Sequence, residues 1–306
     1  MSARSLFSAV ICLLTLHANS ATAAELYWQL NAYTRTAEIF IEGKIEIGDE
    51  ERFRHVVLEI IDKKLPLEGV SIYSLGGAVR PALHIGRQIR LLRLGTSGPV
   101  RVAALGPDGV SCRRAAYDQS GNTIRSKHWT RNSRSQTEFS RNDSGCLCAS
   151  ACFLIWAAGS ERAGDWIGVH RPSFDPKEFG ALSPQQADEQ YSAMAQEIKA
   201  YLDEMGIPES ITRKMMAASS RQMFYLSSDE ARMLRDHASL TELIIARCGD
   251  IETTSLQAAD AAKRGAMGEW KRLSQSVEAM VPCRNTIRHQ QFEENVQKYL
   301  RAYGGR

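Results

Sequence analysis

Cys148-Ala149-Ser150-Ala151-Cys152-Phe153-Leu154-Ile155-Trp156-Ala157-Ala158-Gly159 is the stretch on which the reading of this chain turns. A small polar residue stands directly before a nearly unbroken apolar run, and a glycine closes it. Such a run is a buried helix, and Ser150 is a natural N-cap because its oxygen takes an orphan backbone N–H. The same position suits a nucleophile, since free N–H groups and the positive end of a helix dipole stabilise developing negative charge. Cap and nucleophile are therefore the two readings that the rest of the chain has to separate.

Working outward, the sequence on both sides alternates strand and helix patterns. Leu26–Leu30 and Ala37–Ile45 hold short β-type runs, the second ending near Gly43. Glu50–Lys64 places Phe53, Val56, Val57, Ile60 and Ile61 at helical spacing. A strand over Gly69–Ser74 leads into the turn Leu75-Gly76-Gly77, and a helix over Pro81–Leu94 precedes a strand at Val100–Leu105. After the Ser150 helix come a strand at Asp165–His170, a long helix from Pro184 to Met205, and a second helix over Glu209–Ser219. A short strand at Met223–Leu226 and a helix capped by Ser227 or Ser228 follow. Strand and helix alternating in units of about thirty residues predict a crossover-connected α/β fold. Beyond Leu240 the pattern is mostly helical, a C-terminal extension over 241–306.

Residues 106–145 interrupt this rhythm. They are polar and carry an excess of Arg and Lys, so they read as an inserted, solvated surface excursion. A lid that prefers acidic or membrane-surface partners is the sharper alternative.

The N-terminus has a basic start, an apolar core of about eleven residues and the small-residue run Ala21–Ala24. That core is too short for a bilayer helix of about twenty residues and fits a signal peptide over 1–23. The expected location is periplasmic or secreted. The net charge of +3 is too small to argue for nucleic acid. Of seven cysteines, Cys12 falls in the leader, and the even remainder in an oxidising compartment predicts disulfides. Cys248 and Cys283 are expected to pair near the C-terminus. Cys112 is expected to bridge the insertion to Cys146 or Cys148, and the partner of Cys152 stays open. A thiolate metal site at Cys146-x-Cys148 is the weaker alternative, because zinc motifs space their first pair more widely. No metal and no cofactor is expected.

Three separated pieces fit one hydrolytic arrangement. Gly76-Gly77 ends a strand where backbone N–H groups can face a ligand, Ser150 heads a helix, and His170 closes a strand before Pro172. A hydrolytic serine needs a base for its proton and donors where the oxyanion forms. Tyr73-Ser74-Leu75-Gly76-Gly77, Cys148–Gly159, Val169-His170-Arg171-Pro172 and Phe224–Ala231, in this order, resemble the crotonase-like superfamily, close to the proteolytic subunit of the Clp protease. The resemblance spans about Ile39 to His237 within a domain over 25–240. It implies repeated β-β-α units, an exported serine peptidase without a cofactor, and an extended peptide or protein substrate beside Gly77 and His170. It implies Ser150 as nucleophile, His170 as base, and Gly76, Gly77 and Ala151 as oxyanion donors. Homo-oligomers through the 184–205 helix also follow from it.

The chain departs from the family where its orienting acid is expected. Ser220-Arg221-Gln222-Met223 stands there, and Gln222 is the nearest match. A neutral amide orients a ring without supplying charge, and Asp229, Glu230 and Asp236 are the other candidates. A cysteine nucleophile at Cys152 fits poorly, two residues past Ser150, and acyl-CoA chemistry does not suit an exported protein. The alternative outside enzymes is a secreted binding module that keeps the fold and recognises extended peptides.

Overall fold

The computed structural model describes residues 23–31, 36–101, 110–117, 123–131, 146–174, 179–235 and 238–305. The leader expected over 1–23 lies, but for its last residue, outside these, as does Asp236. The chain is mixed α/β.

The first sheet is built from β1 (Glu25–Asn31), β2 (Thr36–Glu42), β3 (Leu67–Tyr73), β4 (Gly95–Ser97) and β9 (Arg162–Ala163), in the order β1-β2-β3-β4-β9. β1 and β2 pair antiparallel, and the pairings β2–β3, β3–β4 and β4–β9 are parallel. Parallel neighbours require crossovers, which α1 (Asp49–Asp62) and α2 (Val79–Leu92) provide between β2 and β3 and between β3 and β4. The helical spacing read from the sequence is the reason these helices form here. Phe53, Val57 and Ile60 of α1, and Leu83, Ile85, Ile89 and Leu92 of α2, are fully buried against Ile39, Ile41, Val70 and Ile72 of the sheet.

A smaller sheet carries the residues singled out for chemistry. β8 (Cys148–Ala149) pairs parallel with β10 (Ile167–Val169), which pairs antiparallel with β11 (Phe224–Tyr225). The bridge Ser74↔Cys148 joins this layer to the first sheet, and the bridge Ile45↔Gly77 continues the first sheet beyond β2 and β3. Between β8 and β9 runs α3 (Ala151–Ala157), every residue of which is buried. α4 (Pro184–Glu204) starts with a capping box at Ser183 and Gln186 and buries only Ile198, Tyr201 and Leu202, at its C-terminal end. α5 (Glu209–Ala217) and α6 (Ser228–Met233) follow, the latter with a capping box at Ser227 and Glu230.

The polar insertion differs from the expected loop. β6 (Val110–Tyr117) and β7 (Thr123–Arg131) form an antiparallel hairpin, to which β5 (Val100–Arg101) adds an edge. Its charges had spoken for water, but backbone pairing in a two-stranded ribbon asks little of the side chains. Residues 102–109, and with them most of the strand expected at Val100–Leu105, lie outside the described residues. Cys112 of β6 is bonded to Cys146, which pins the hairpin over Phe40, Tyr73 and Trp166. The pairs Cys148–Cys152 and Cys248–Cys283 complete the set. Three such bonds fit an oxidising, extracytoplasmic environment. No helix among the described residues is long and apolar enough to cross a membrane.

The C-terminal extension is helical: α7 (Ala238–Cys248), α8 (Ile251–Lys263) and α9 (Met267–Tyr303). Its last helix docks on α2 through Phe292, Val296 and Tyr299, and the buried Tyr299 hydroxyl donates to Gln88 Oε1 at 2.6 Å. The Cys248–Cys283 bond ties the end of α7 to the middle of α9.

Helices end in unpaired carbonyls that must find donors. Here three helix ends converge on one side chain. The buried Arg162 donates from Nε to Ala157 O at 2.9 Å, from Nη1 to Leu234 O at 2.7 Å and from Nη2 to Met205 O at 2.6 Å. It thereby closes α3, α6 and α4 together. Burial, with Arg90 beside it, pulls its pKa down to about 10. Arg162→Ala leaves all three carbonyls without that donor and is expected to cost about 3 kcal/mol or more, read as a lower urea midpoint at unchanged slope.

Glu38 of β2 is a buried acid that keeps its proton to higher pH than an exposed one. Burial raises its pKa above 4.5, the hydroxyl hydrogen bond from Ser71 opposes the shift, and Glu68 adds to it. The folded chain therefore holds a proton at pH values where the unfolded chain has released it. Stability from this group is full below pH 4.5 and falls as pH rises through the raised value. Glu38→Gln should remove that slope and be more stable than wild type at pH 7, checked by urea unfolding from pH 4 to pH 7.

Candidate active site

The chain leaves β8, turns sharply at Ser150 and enters α3. Ser150 stands at φ 58° and ψ −123°, a region that L-residues with a Cβ rarely occupy and that costs about 1–3 kcal/mol. Its hydroxyl makes no capping bond to the helix. The turn is held through the backbone instead, with Ser150 N–H donating to Gly168 O at 2.9 Å and Phe153 N–H donating to Ser150 O at 3.0 Å. The cap reading of Ser150 thus fails on geometry. A cap sits in extended backbone and uses its side-chain oxygen, and Ser150 does neither.

Gly76 and Gly77 come to this turn from the end of β3, both at positive φ (98° and 142°). A Cβ on Gly76 would lie 2.5 Å from Ser150 Cβ, 2.7 Å from Ala149 O and 2.9 Å from Ala151 N. A Cβ on Gly77 would overlap the backbone of Ile45. These contacts, rather than a tight bend alone, are what the Gly-Gly pair permits.

The amides differ in what remains available. Gly76 N–H donates to the Ser74 hydroxyl at 3.0 Å, so it is already spent. Among the described residues no acceptor is found for Gly77 N–H or Ala151 N–H. Ser74, fully buried at the end of β3, is the residue that sequence reasoning missed. Its signal was a serine two places before a turn glycine, a spacing at which hydroxyls bond backbone N–H groups.

His170 leaves β10 beside Ser150. The parallel register Ile167↔Cys148 and Gly168↔Ala149, extended by the Ser150–Gly168 hydrogen bond, runs the two segments side by side. The half-buried His170 ring places Nδ1 2.6 Å from Arg171 O. A carbonyl only accepts, so Nδ1 carries the proton and Nε2 of the neutral ring is left as the acceptor. No side-chain hydrogen bond joins His170 to Ser150 among the described residues.

Gln222 is not brought into this group. It lies exposed on the turn before β11, where its N–H donates to Ser219 O at 3.1 Å. Val169 pairs with Phe224, so Gln222 falls past the end of the strand pairing. Asp229 and Glu230 sit on α6, where Asp229 pairs with Arg232 and Glu230 pairs with Lys214 and closes the Ser227 capping box. No group of three or more His, Cys, Asp or Glu able to hold a metal occurs among the described residues.

The strain at Ser150 has a direct consequence. Glycine takes this φ and ψ freely, because its mirror-image conformation is ordinary extended backbone. Ser150→Gly should therefore be more stable than Ser150→Ala by about 1 kcal/mol, measured as the difference in urea midpoints. Equal midpoints would mean that the turn is relaxed. No family model and no curated protein matches this chain, so the reading of the site rests on its own geometry.

Proposed function

We propose that the chain is an exported serine peptidase of the Clp-protease-like type, on crotonase-like repeated β-β-α units. The observation that carries this is Ser150. It is a non-glycine residue in a strained strand-to-helix turn, and its hydroxyl is not used as a cap. Such turns expose a nucleophile at the top of a sheet, and backbone strain concentrates at functional sites.

In this reading the Ser150 hydroxyl oxygen attacks the scissile carbonyl carbon while His170 Nε2 takes its proton. The oxyanion that forms is received by Gly77 N–H and Ala151 N–H, the two amides left without acceptors. His170 then returns the proton to the leaving amine, and the acyl group stays on Ser150 until water, deprotonated by His170, releases it. The Arg171 carbonyl takes the orienting part usually played by an acid. It fixes the tautomer without adding negative charge, and Gln222 has no part. The exposed Leu75 and Ile47, just outside the Gly76-Gly77 turn, offer apolar surface to a substrate lying extended there. The unburied N-terminal half of α4 fits the homo-oligomer contact that belongs to the same reading.

A fluorophosphonate probe, which phosphonylates activated serines, tests this directly. Wild-type protein should label at Ser150. Ser150→Ala should not label, and His170→Ala should be slower by a factor of about 10³ or more. Gln222→Ala should stay within about twofold of wild type. No labelling of wild type from neutral to alkaline pH would overturn the peptidase and favour a peptide-binding module on the same fold.

A further inference from the structure

The Cys148–Cys152 disulfide brackets Ser150 across a sequence separation of 4, and its Cα atoms are 5.3 Å apart. Extended chain of this length would span about 13 Å, so the bond forbids β8 from running on through Ser150. A helix that began earlier would satisfy the short distance, but Cys148 is fixed in the sheet by its pairing with Ile167 and its bridge to Ser74. Sheet pairing on one side and the bond on the other leave a sharp reversal at Ser150 as the remaining path. That reversal is the strained one, and strain persists only where the surroundings over-determine it.

The bond is poorly suited to a general stabilising role. It closes a sequence separation of 4, against 34 and 35 for Cys112–Cys146 and Cys248–Cys283, and short loops restrict the unfolded chain least. Both sulfurs belong to residues with no solvent exposure, in a helix start already buried by its own side chains. Its effect falls on the turn it spans.

We infer that the Cys148–Cys152 disulfide is a positioning element for the Ser150 nucleophile, holding the hydroxyl in its reactive orientation between Gly77 and His170. This rests on the peptidase reading. The reduced chain would fold with the same sheets and a relaxed turn, so the activity of this site belongs to the oxidised protein.

The experiment compares fluorophosphonate inactivation of the wild-type chain with that of Cys148→Ala/Cys152→Ala and of the bulkier Cys148→Val/Cys152→Ala. Cys248→Ala/Cys283→Ala serves as the control. Melting curves first establish a temperature at which each protein is folded. The inactivation rate constant at saturating probe should fall by about 10- to 100-fold in the two turn variants. The half-saturating probe concentration and the midpoint of the rate–pH profile should stay where they are, and the control should match wild type. Unlabelled wild type would remove the peptidase reading and this inference with it. Labelled wild type with turn variants reacting at the same rate would overturn the inference alone. A moved pH midpoint, a weakened probe affinity or an equal loss in the control would also overturn it, since each points to a wider disturbance. Failure of both turn variants to fold would make the bond a requirement of the whole fold and would overturn its assignment to the turn.

Discussion

The contact on which this structure depends is backbone against backbone, where the Gly76-Gly77 turn is pressed between Ile45 and the chain at Ala149–Ala151. A single added carbon at Gly76 would come 2.5 Å from Ser150 Cβ, far inside van der Waals distance. Beside this crossing the larger sheet is joined to the smaller by the bridge Ser74↔Cys148. The fold and the candidate site therefore share one constraint. What lets the two sheets meet is also what sets Gly76 against Ser150 and Ala151 N.

Strain at one end of α3 is matched by anchoring at the other. Arg162 holds the Ala157 carbonyl at the close of this short helix, and Phe153, Ile155 and Trp156 are fully buried along it. A helix so fixed does not slide or unwind freely, because a close-packed interior feels a change of even one methylene, so any relaxation of Ser150 has to come from the turn itself. Buried charge on Arg162 is itself costly, yet the partners are dipoles at three helix ends, which carry partial negative charge. The cost is met by groups that needed donors in any case.

Much of the fold was legible because hydrophobic period is a strong signal. The helices over Glu50–Lys64 and Pro184–Met205 fall within two residues of α1 and α4. Ser150, Gly76-Gly77 and His170 could be picked out because all three stand at element ends, where side chains and amides become available. What stayed hidden depends on partners that a sequence does not mark. Every residue has a carbonyl, so nothing singled out that of Arg171 as the partner of His170. The Ser74 hydroxyl that occupies Gly76 N–H is one of many serines, and the choice of Cys146 over Cys148 by Cys112 needs the hairpin's path. Gln222 was matched to the acid position by its place shortly before Phe224, and that does not show that β11 begins only at Phe224.

Two of the three disulfides sit where packing alone has least hold. One pins a hairpin whose sequence is rich in charged residues, and one joins two C-terminal helices whose mutual cluster is small, Leu240, Ile244 and Ile287. The third lies inside the large buried cluster around α3, where both cysteines have no solvent exposure. What that region lacks is not burial but a reason for Ser150 to keep an unfavourable backbone angle. Hydrophobic burial is non-directional and cannot supply one, because a relaxed turn could bury the same side chains. Directional constraints can, and the turn has three: the hydrogen bond to Gly168, the backbone of Gly76, and a covalent bond across it.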